Sequence, residues 1–331
     1  MQRFALIGAG FIGSVHAQNL HDSQDVDWRL VYDSDPTRAA VLATRYGVQV
    51  AGEEAAVFDR DEVDAVLVAS STDTHSRYLR AAADAGIAVF CEKPIDASYE
   101  DAAATVDYVL ERTSRVMVDF NRRFDRDYAE LRRIVTCGEI GDVELVQMSS
   151  RGPTMPPLEY LAVSGGQMRD QTVHFFDLAR WLTGLDPVDV FVRGSALVDP
   201  RILEFGDVDT SIATLSLANG ALVQIDSVRR TAYGYDERIE VFGSGGMAQA
   251  RRHHDGNVSR YHGQRITTDG MHVGWLERVR PTYAAALAAF VRSLAGEQSE
   301  TPSLRDALKA QAIAEAATQS LQRGHLERIR Y

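Results

Sequence analysis

Short apolar runs alternate with amphipathic stretches along the first part of the chain. An apolar run bounded by turn residues is typical of a buried strand, and apolar positions three or four residues apart are typical of a helix. Their alternation predicts an α/β fold with a doubly wound parallel sheet and helices on both faces. The predicted strands are residues 3–7, 28–32, 63–69, 87–90 and 115–119, and the predicted helices are residues 11–21, 36–46, 74–85 and 98–112.

The pattern changes after about residue 120, where longer strand-like stretches replace the alternation. Asn219-Gly220, between two of these stretches, is a strong signal for a hairpin. We therefore expect a doubly wound domain over residues 1–120 and, over residues 121–331, an α+β domain with a largely antiparallel open sheet. The predicted strands of the second domain are 142–151, 188–197, 209–217, 221–230 and 236–242, and its helices are 125–137, 170–182, 279–295 and 303–322, the last of which we allow to pack back on the first domain.

A glycine pattern follows the first predicted strand directly. In Gly8-x-Gly10-x-x-Gly13, the first glycine suits a tight turn, the second lets backbone approach a pyrophosphate, and the third lets helix and strand pack closely. Phe11 and Ile12 then open the predicted helix, whose N-terminal amides and dipole attract an anion. The first domain is therefore predicted to be a Rossmann domain that binds a dinucleotide.

The second predicted strand ends in Asp33, about 20 residues after Gly13, as expected for a ribose-binding carboxylate. Such a carboxylate binds the ribose hydroxyls of NAD and repels the 2′-phosphate of NADP. Two alternatives stay open: Asp33 is a solvated aspartate beside Asp35, or Arg38 serves a 2′-phosphate, although Arg38 falls on the next predicted helix. We predict NAD as the cofactor.

Length, charge and cysteine content limit the classes of binding partner and the cellular compartment that we expect for the protein. The length of 331 residues suits two domains with well-buried cores. A formal net charge of −12 argues against nucleic acid, which needs a basic face, and nothing in the sequence suggests a membrane surface. Cys91 and Cys137 lack the spacing of a disulfide framework, and the chain shows neither a signal peptide nor a membrane-length apolar run. We expect a cytoplasmic protein.

Small polar residues follow the third predicted strand, at the sheet edge where open α/β sheets bind ligands. Ser70, Ser71 and Thr72 are small enough to let a cofactor pass, and His75 is a further candidate in the same loop. The alternative is that this loop only caps the helix that follows.

Three residues are candidates for the chemistry itself. Lys93 lies at the end of the fourth predicted strand, in Glu92-Lys93-Pro94, where a plain surface lysine is the alternative. Asp170 and His174 are four residues apart, so on a helix they share a face and can interact directly. A carboxylate beside an imidazole makes a competent general base near neutral pH. A simple helix ion pair is the alternative.

Together these motifs resemble the Gfo/Idh/MocA family of nicotinamide-dependent oxidoreductases over nearly the whole chain, and within it most closely the inositol 2-dehydrogenase branch. The resemblance implies an enzyme that oxidises a secondary hydroxyl of myo-inositol or a related cyclic polyol or sugar with NAD, and a homotetramer. The residues that carry it are Gly8, Gly10, Gly13 and His16, Glu92-Lys93-Pro94, Asn121 to Asp125, Gly141, Gly165-Gly166, Asp170 with Thr172 and His174, and Tyr233-Gly234-Tyr235.

The resemblance also implies residue roles. His174 would take the hydroxyl proton, Asp170 would orient His174, and Lys93 would stabilise the developing alkoxide. Arg123, Thr172 and Tyr235 would join this trio as substrate contacts. The implied cofactor contacts are Gly8, Gly10, Phe11, Ile12, Gly13, Asp33, Ser70, Ser71, Thr72, His75, Glu92 and Lys93.

Three positions depart from the family pattern. Gly152 stands where inositol dehydrogenases usually present Asn or Asp to a ring hydroxyl, Asp119 replaces a small residue, and Phe175 replaces a common Asp. A lost hydrogen-bond partner relaxes discrimination between sugars, so the substrate's identity, stereoisomer and reacting hydroxyl stay open. Two alternatives also stay open: a glycoside hydrolase that uses NAD transiently, and a non-catalytic NAD or sugar sensor.

Histidines are frequent between residues 253 and 272. His253, His254, Asp255, His262 and His272 lie among glycine-containing loops, and their spacing fits no known metal geometry. The sequence therefore predicts no metal site.

Overall fold

The computed structural model describes residues 1–113 and 115–331, which divide into two compact units. The first unit contains Met1–Phe124 and Arg280–Lys309, and the second contains Asp125–Val279 and Ala310–Tyr331. The sequence-based boundary at residue 120 lies close to Phe124. The segment Arg280–Lys309 falls within the range 121–331 expected for the second domain, but it lies in the first unit. Its last residues belong to the closing helix, predicted over 303–322, that we allowed to pack back on the first domain.

A parallel sheet forms the centre of the first unit, with the strand order β3-β2-β1-β4-β5-β6. This order, with helices between successive strands, confirms the predicted doubly wound sheet. The elements are β1 (Gln2–Ile7), α1 (Phe11–Asp22), β2 (Val26–Tyr32), α2 (Pro36–Tyr46), β3 (Gln49–Val50), β4 (Ala65–Val68), α3 (His75–Ala85), β5 (Ala88–Cys91), α4 (Tyr99–Leu110) and β6 (Val116–Val118).

Apolar strands and a distant helical segment share the core of this unit. Phe4 on β1 and Phe90 on β5 are fully buried, as expected for a parallel sheet covered on both faces. Phe290, from the returning segment, packs edge-on against Phe4 and stacked against Phe90, with ring centroids 6.2 Å and 5.6 Å apart. These ring contacts place the segment in the first unit.

A mixed sheet forms the centre of the second unit, with the strand order β12-β11-β7-β10-β9-β8-β15. The β7–β10 pair is parallel and the other neighbours are antiparallel, which confirms the predicted largely antiparallel sheet. The elements are α5 (Arg126–Thr136), β7 (Val143–Arg151), α6 (Leu158–Leu161), α7 (Val173–Thr183), β8 (Pro187–Ser195), β9 (Thr210–Leu217), β10 (Leu222–Val228), β11 (Asp236–Gly243), β12 (Gly246–Ala250), β13 (Ser259–His262), β14 (Arg265–Thr268), α8 (Trp275–Leu294), α9 (Leu304–Arg323) and β15 (Glu327–Arg328), with α8 and α9 extending beyond this unit.

The predicted hairpin at Asn219-Gly220 joins β9 and β10, which pair antiparallel. The short strands β3, β12, β13, β14 and β15 were not predicted, because a few residues at a sheet edge carry little periodic signal. Of the helices in the described part of the chain, none combines the length and hydrophobicity that a membrane-spanning segment needs.

Candidate active site

The glycine turn lies between β1 and α1, as its sequence predicts. Gly8 has φ +98°, and a Cβ on it would lie 2.5 Å from the backbone oxygen of Ala69. A Cβ on Gly13 would lie 2.1 Å from the oxygen of Gly8. At Gly10, a Cβ would meet nothing within 4 Å beyond its adjoining residues in the described structure. Gly8 and Gly13 are therefore fixed by packing, whereas Gly10 leaves open space of the kind a phosphate needs before a helix N-terminus.

Asp33 lies against this glycine turn. Its Oδ2 accepts a hydrogen bond from the Ala9 amide at 2.6 Å, and its Oδ1 accepts one from the Asp35 amide at 2.8 Å. The carboxylate is thus held beside the turn that is expected to cradle the pyrophosphate, where a ribose-binding group belongs. Arg38 lies on α2, as expected, with Nε 3.4 Å from Asp35.

His75 joins the loops that follow β4 and β5. Its buried ring has Nδ1 2.7 Å from the Pro94 oxygen and Nε2 3.1 Å from the Ser70 oxygen. Both ring nitrogens already face backbone carbonyls, so the structure gives His75 a supporting position, and a direct cofactor contact stays a prediction. Ser71 precedes a short 3₁₀ turn, Thr72–Thr74, in the same loop.

Glu92 and Lys93 follow the end of β5, both partly buried. The Lys93 amide donates to Glu92 Oε2 at 3.2 Å, so the side chain of Glu92 bonds the backbone of the proposed catalytic lysine. The cofactor candidates therefore lie at the carboxyl ends of β1, β2, β4 and β5, neighbours at one edge of the sheet.

Glu92 also belongs to a buried group of three titratable side chains, which we call the His16 cluster: His16, Glu92 and Asp119. His16 Nε2 lies 2.9 Å from Glu92 Oε1 and 3.7 Å from Asp119 Oδ2. The side chains of His16 and Asp119 are fully buried. Two carboxyl groups, one fully buried and one 11% exposed, therefore lie close to one buried imidazole.

The two carboxyl groups of the His16 cluster respond differently to burial. Burial, and then the charge of Glu92, raise the pKa of Asp119 well above its usual value. Burial alone would also raise the pKa of Glu92, but the hydrogen bond with His16 and nearby positive charges outweigh it and lower that pKa. The cluster therefore favours an ionised Glu92 and a protonated Asp119.

Asp170 and His174 lie at the start of α7 in the second unit. A π-helical segment, Met168–Thr172, carries Asp170, and His174 lies in the first turn of α7. Such π segments recur at functional sites. Both residues are half-buried, and the structure shows where the carboxylate of Asp170 is held: Oδ1 accepts from the Tyr160 hydroxyl at 2.8 Å. Direct contact between Asp170 and His174 stays a prediction.

Arg229 supplies a second partner to Asp170, and sequence analysis did not find it. Its Nη1 donates to Asp170 Oδ2 at 3.3 Å and its Nη2 donates to Asp207 Oδ2 at 3.2 Å. We call Asp170, Arg229 and Asp207 the Arg229 cluster. Its members are far apart along the chain and form no short motif, so the sequence carried no local signal for it.

The three second-rank substrate candidates have internal partners. Thr172 is fully buried, with its hydroxyl 3.0 Å from that of Ser227. The Tyr235 hydroxyl donates to Glu237, and both side chains are buried. Arg123 is buried in the first unit with its guanidinium 3.4 Å from Asp306. These contacts give each residue a structural role, and their contact with substrate stays a prediction.

Two of the departures from the family pattern have clear surroundings. Phe175 is buried in the apolar interior of the second unit. The amide of Gly152 donates to the Val228 oxygen at 2.7 Å, and a Cβ on Gly152 would make ordinary contact with the Arg229 oxygen at 3.5 Å. A Cβ therefore fits at position 152 without displacing the backbone.

Carboxylate and histidine ligand atoms lie close together at two places in the described residues: the His16 cluster and the group of Asp125, Asp127 and His253. In the second group, His253 Nε2 lies 2.6 Å from Asp127, and Asp125 Oδ2 accepts from Arg278 at 2.6 Å. Asp125 also caps α5. Protein partners thus account for the charges of this group.

Two family models match the chain. Residues 2–120 match the oxidoreductase family with an NAD-binding Rossmann fold, and residues 128–249 match the GFO/IDH/MocA C-terminal domain. The first match bears out both the predicted Rossmann domain and NAD as the cofactor.

Two curated relatives align over nearly their whole length. An inositol 2-dehydrogenase of Rhizobium meliloti (strain 1021) is 38% identical over 319 residues, which is 96% of this chain and 96% of the relative. A myo-inositol 2-dehydrogenase of Thermotoga maritima is 38% identical over 325 residues, which is 97% of this chain and 96% of the relative. The crystal structure of a myo-inositol dehydrogenase from Corynebacterium glutamicum ATCC 13032 has a TM-score of 0.94 at 35% identity and covers 100% of this chain and 99% of that one.

Proposed function

Because the chain belongs to the Gfo/Idh/MocA family of NAD-dependent oxidoreductases, we propose that it oxidises a secondary hydroxyl of myo-inositol or a related cyclic polyol. The observation that carries this proposal is the 38% identity, over 96% of the chain, to a protein named inositol 2-dehydrogenase. The relatives described above are dehydrogenases, and nothing in the comparisons supports the hydrolase or the sensor alternative.

The glycine turn and the loops beside it would hold NAD. The open space at Gly10 suits a pyrophosphate at the N-terminus of α1, with Phe11 and Ile12 in the first helical turn. Asp33, fixed against Ala9, would accept hydrogen bonds from the adenosine ribose. When bound, NAD supplies the nicotinamide carbon that accepts the hydride. Ser70, Ser71, Thr72, His75, Glu92 and Lys93 complete the proposed cofactor contacts.

Three side chains would carry out the proton chemistry. His174 takes the proton of the reacting hydroxyl, while the hydrogen on the same carbon leaves as hydride. Asp170, held by Tyr160 and Arg229, orients His174 and stabilises its protonated form. Lys93 donates a hydrogen bond to the same substrate oxygen and stabilises its alkoxide character as it develops. Arg123, Thr172 and Tyr235 are secondary candidates for shaping the substrate pocket.

We also propose that the protein assembles with copies of itself in a cytoplasmic, reducing setting, as a homotetramer by resemblance to the family. An apolar row crosses the sheet of the second unit: Leu222 pairs with Leu145, Leu145 with Phe242, and Phe242 with Met247. Leu222, Phe242 and Met247 are each nearly half exposed. A continuous apolar row on a sheet face suits burial against a second copy. Light scattering on Phe242→Lys should show a smaller particle than the wild type, and an unchanged mass would contradict this surface.

A substrate panel tests the proposed reaction. Purified protein is mixed with NAD or NADP and with inositol isomers, pyranoses and aryl glycosides, and nicotinamide absorbance is followed. We expect a cyclic polyol to reduce NAD, with little reduction of NADP because Asp33 repels a 2′-phosphate. Release of an aryl group without net reduction of NAD, or no reaction with any polyol, would contradict the proposal.

A further inference from the structure

We propose that Arg229 is a positioning residue, whose buried guanidinium fixes the carboxylate of Asp170 in the orientation that His174 requires. This inference rests on the proposed function, in which Asp170 acts through His174. It assigns a role in turnover to a residue that lies 59 positions away from Asp170 in the sequence.

The burial of Arg229 requires charged partners. Its side chain is 2% exposed, and a guanidinium removed from water is tolerated only when it is paired and hydrogen-bonded. The two carboxylates that pair with it differ in exposure: Asp207 is 3% exposed and Asp170 is 16% exposed. Asp207 is therefore the interior anchor, and Asp170 is the member that reaches toward the surface, where a substrate can approach.

Backbone hydrogen bonds hold both Asp207, the interior anchor, and Arg229 in place. Asp207 Oδ1 accepts from the Gln167 amide at 2.7 Å, and the Arg229 amide donates to the Asp209 oxygen at 2.8 Å. Gly166 has φ +88°, and a Cβ on it would lie 3.2 Å from Asp207 Oδ1. Glycine at this position therefore lets the chain pass close to Asp207 before it enters the π segment that carries Asp170.

Both oxygens of Asp170 are consequently held, Oδ1 by the Tyr160 hydroxyl and Oδ2 by Arg229. The planar fork of a guanidinium reaches two carboxylates at once, whereas the single ammonium of lysine is a compact point charge. Replacement of Arg229 by lysine would keep the positive charge and lose the geometry. This substitution separates positioning from simple charge balance.

The experiment compares Arg229→Lys with Arg230→Lys, a matched change at the adjacent exposed arginine. We expect Arg229→Lys to lower kcat by about 10- to 100-fold, because small misplacements of catalytic groups have effects of that order. NAD affinity should stay within about twofold of the wild-type value, since the contacts proposed for NAD remain. Arg230→Lys should leave both quantities unchanged. Wild-type kcat in Arg229→Lys, alongside an inactive Asp170→Asn, would overturn the inference while leaving the proposed function intact.

A second measurement does not depend on turnover. NMR of protein with labelled histidine follows the pH titration of the His174 ring, which is identified by its loss in His174→Gln. We expect that titration to shift in Arg229→Lys and to stay in place in Arg230→Lys. If Arg229→Lys does not fold, Asp207→Asn replaces it, since the amide keeps a hydrogen-bond acceptor while removing the anchoring charge. An unchanged His174 titration in the folded variant would overturn the inference, even if no polyol proves to be a substrate.

Discussion

The Arg229 cluster and the His16 cluster each bring two carboxyl groups together in the interior, but they balance the charge differently. In the Arg229 cluster a guanidinium lies between Asp170 and Asp207 and bonds both. In the His16 cluster an imidazole lies close to Glu92 and farther from Asp119, and the pKa of Asp119 is raised. Two neighbouring carboxyl groups in the interior repel each other unless a cation lies between them or one of them binds a proton. The second unit uses the cation of Arg229, and the first unit favours a proton on Asp119.

The carboxylate of Asp170 is charged and available for chemistry, whereas the carboxyl group of Asp119 favours its neutral form. Asp170 bonds a permanent cation and is partly exposed, as a group that stabilises a protonated histidine should be. Asp119 has no exposure and favours its protonated form. We therefore expect substitutions in the Arg229 cluster to change turnover most, and substitutions at Asp119 to change the pH dependence of stability.

The largest effect is expected from Asp170→Asn. The amide keeps the size of the side chain but cannot stabilise a protonated His174, so kcat should fall by roughly 10²- to 10⁴-fold. NAD affinity, measured by calorimetry on the same protein, should stay near the wild-type value, because Asp170 is not among the proposed cofactor contacts. Full turnover in this variant would remove Asp170 from the mechanism and with it the contrast between the two clusters.

A smaller effect is expected from Gly152→Asn, which adds a polar group beside the backbone of Arg229 without changing any charge. A Cβ at position 152 makes only ordinary contact, so stability should change by less than about 1 kcal/mol. The added amide can bond a ring hydroxyl, and the ratio of kcat/KM between the preferred inositol isomer and the next should rise by about 10-fold. Identical isomer ratios for both proteins would show that position 152 does not contact the substrate.

The smallest effect is expected from Asp119→Asn, and it should appear in stability. Because the pKa of Asp119 is raised on folding, the folded protein holds a proton that the unfolded chain releases above about pH 4. The contribution of Asp119 to the free energy of unfolding is therefore complete below about pH 4 and is lost as the pH rises through the raised pKa of the folded protein. The asparagine avoids this loss, so the variant should gain about 1–3 kcal/mol over the wild type near pH 8 and less near pH 5.

Denaturant unfolding at the two pH values measures this gain, with the exposed Asp107→Asn as the matched control. The control should follow the wild type at both. A gain for Asp119→Asn that is equal at both pH values, or no gain, would mean that Asp119 is ionised in the folded protein and that both clusters hold their carboxylates charged.

The proposed cofactor site and the Arg229 cluster differ in how much of each the sequence could predict. Gly8, Gly13 and Asp33 follow consecutive strands and have fixed spacings, so local pattern alone predicted the turn and the carboxylate that lies against it. Glu92 and Lys93 could be placed at the same sheet edge because parallel strands end together. Most predicted helices and strands were confirmed for the same reason, since their periodicity is local.

Long-range partners could not be predicted in this way. The folded chain brings together Asp170, Arg229 and Asp207 from separate segments. No local sequence pattern predicts contacts between residues so far apart in the chain. The sequence contained no local signal for the contacts that place Arg280–Lys309 in the first unit. The resemblance implied that Thr172 contacts substrate, but the sequence carried no signal for its buried hydroxyl contact with Ser227.

Replacement of Lys93 by alanine tests the central claim most directly. In the proposed mechanism Lys93 bonds the substrate oxygen, and it is only one of several residues proposed to contact NAD, which the glycine turn and Asp33 hold as well. Lys93→Ala should therefore nearly abolish reduction of NAD by a cyclic polyol while leaving NAD binding largely intact. Turnover close to the wild-type rate in Lys93→Ala, with NAD bound, would contradict the proposed mechanism.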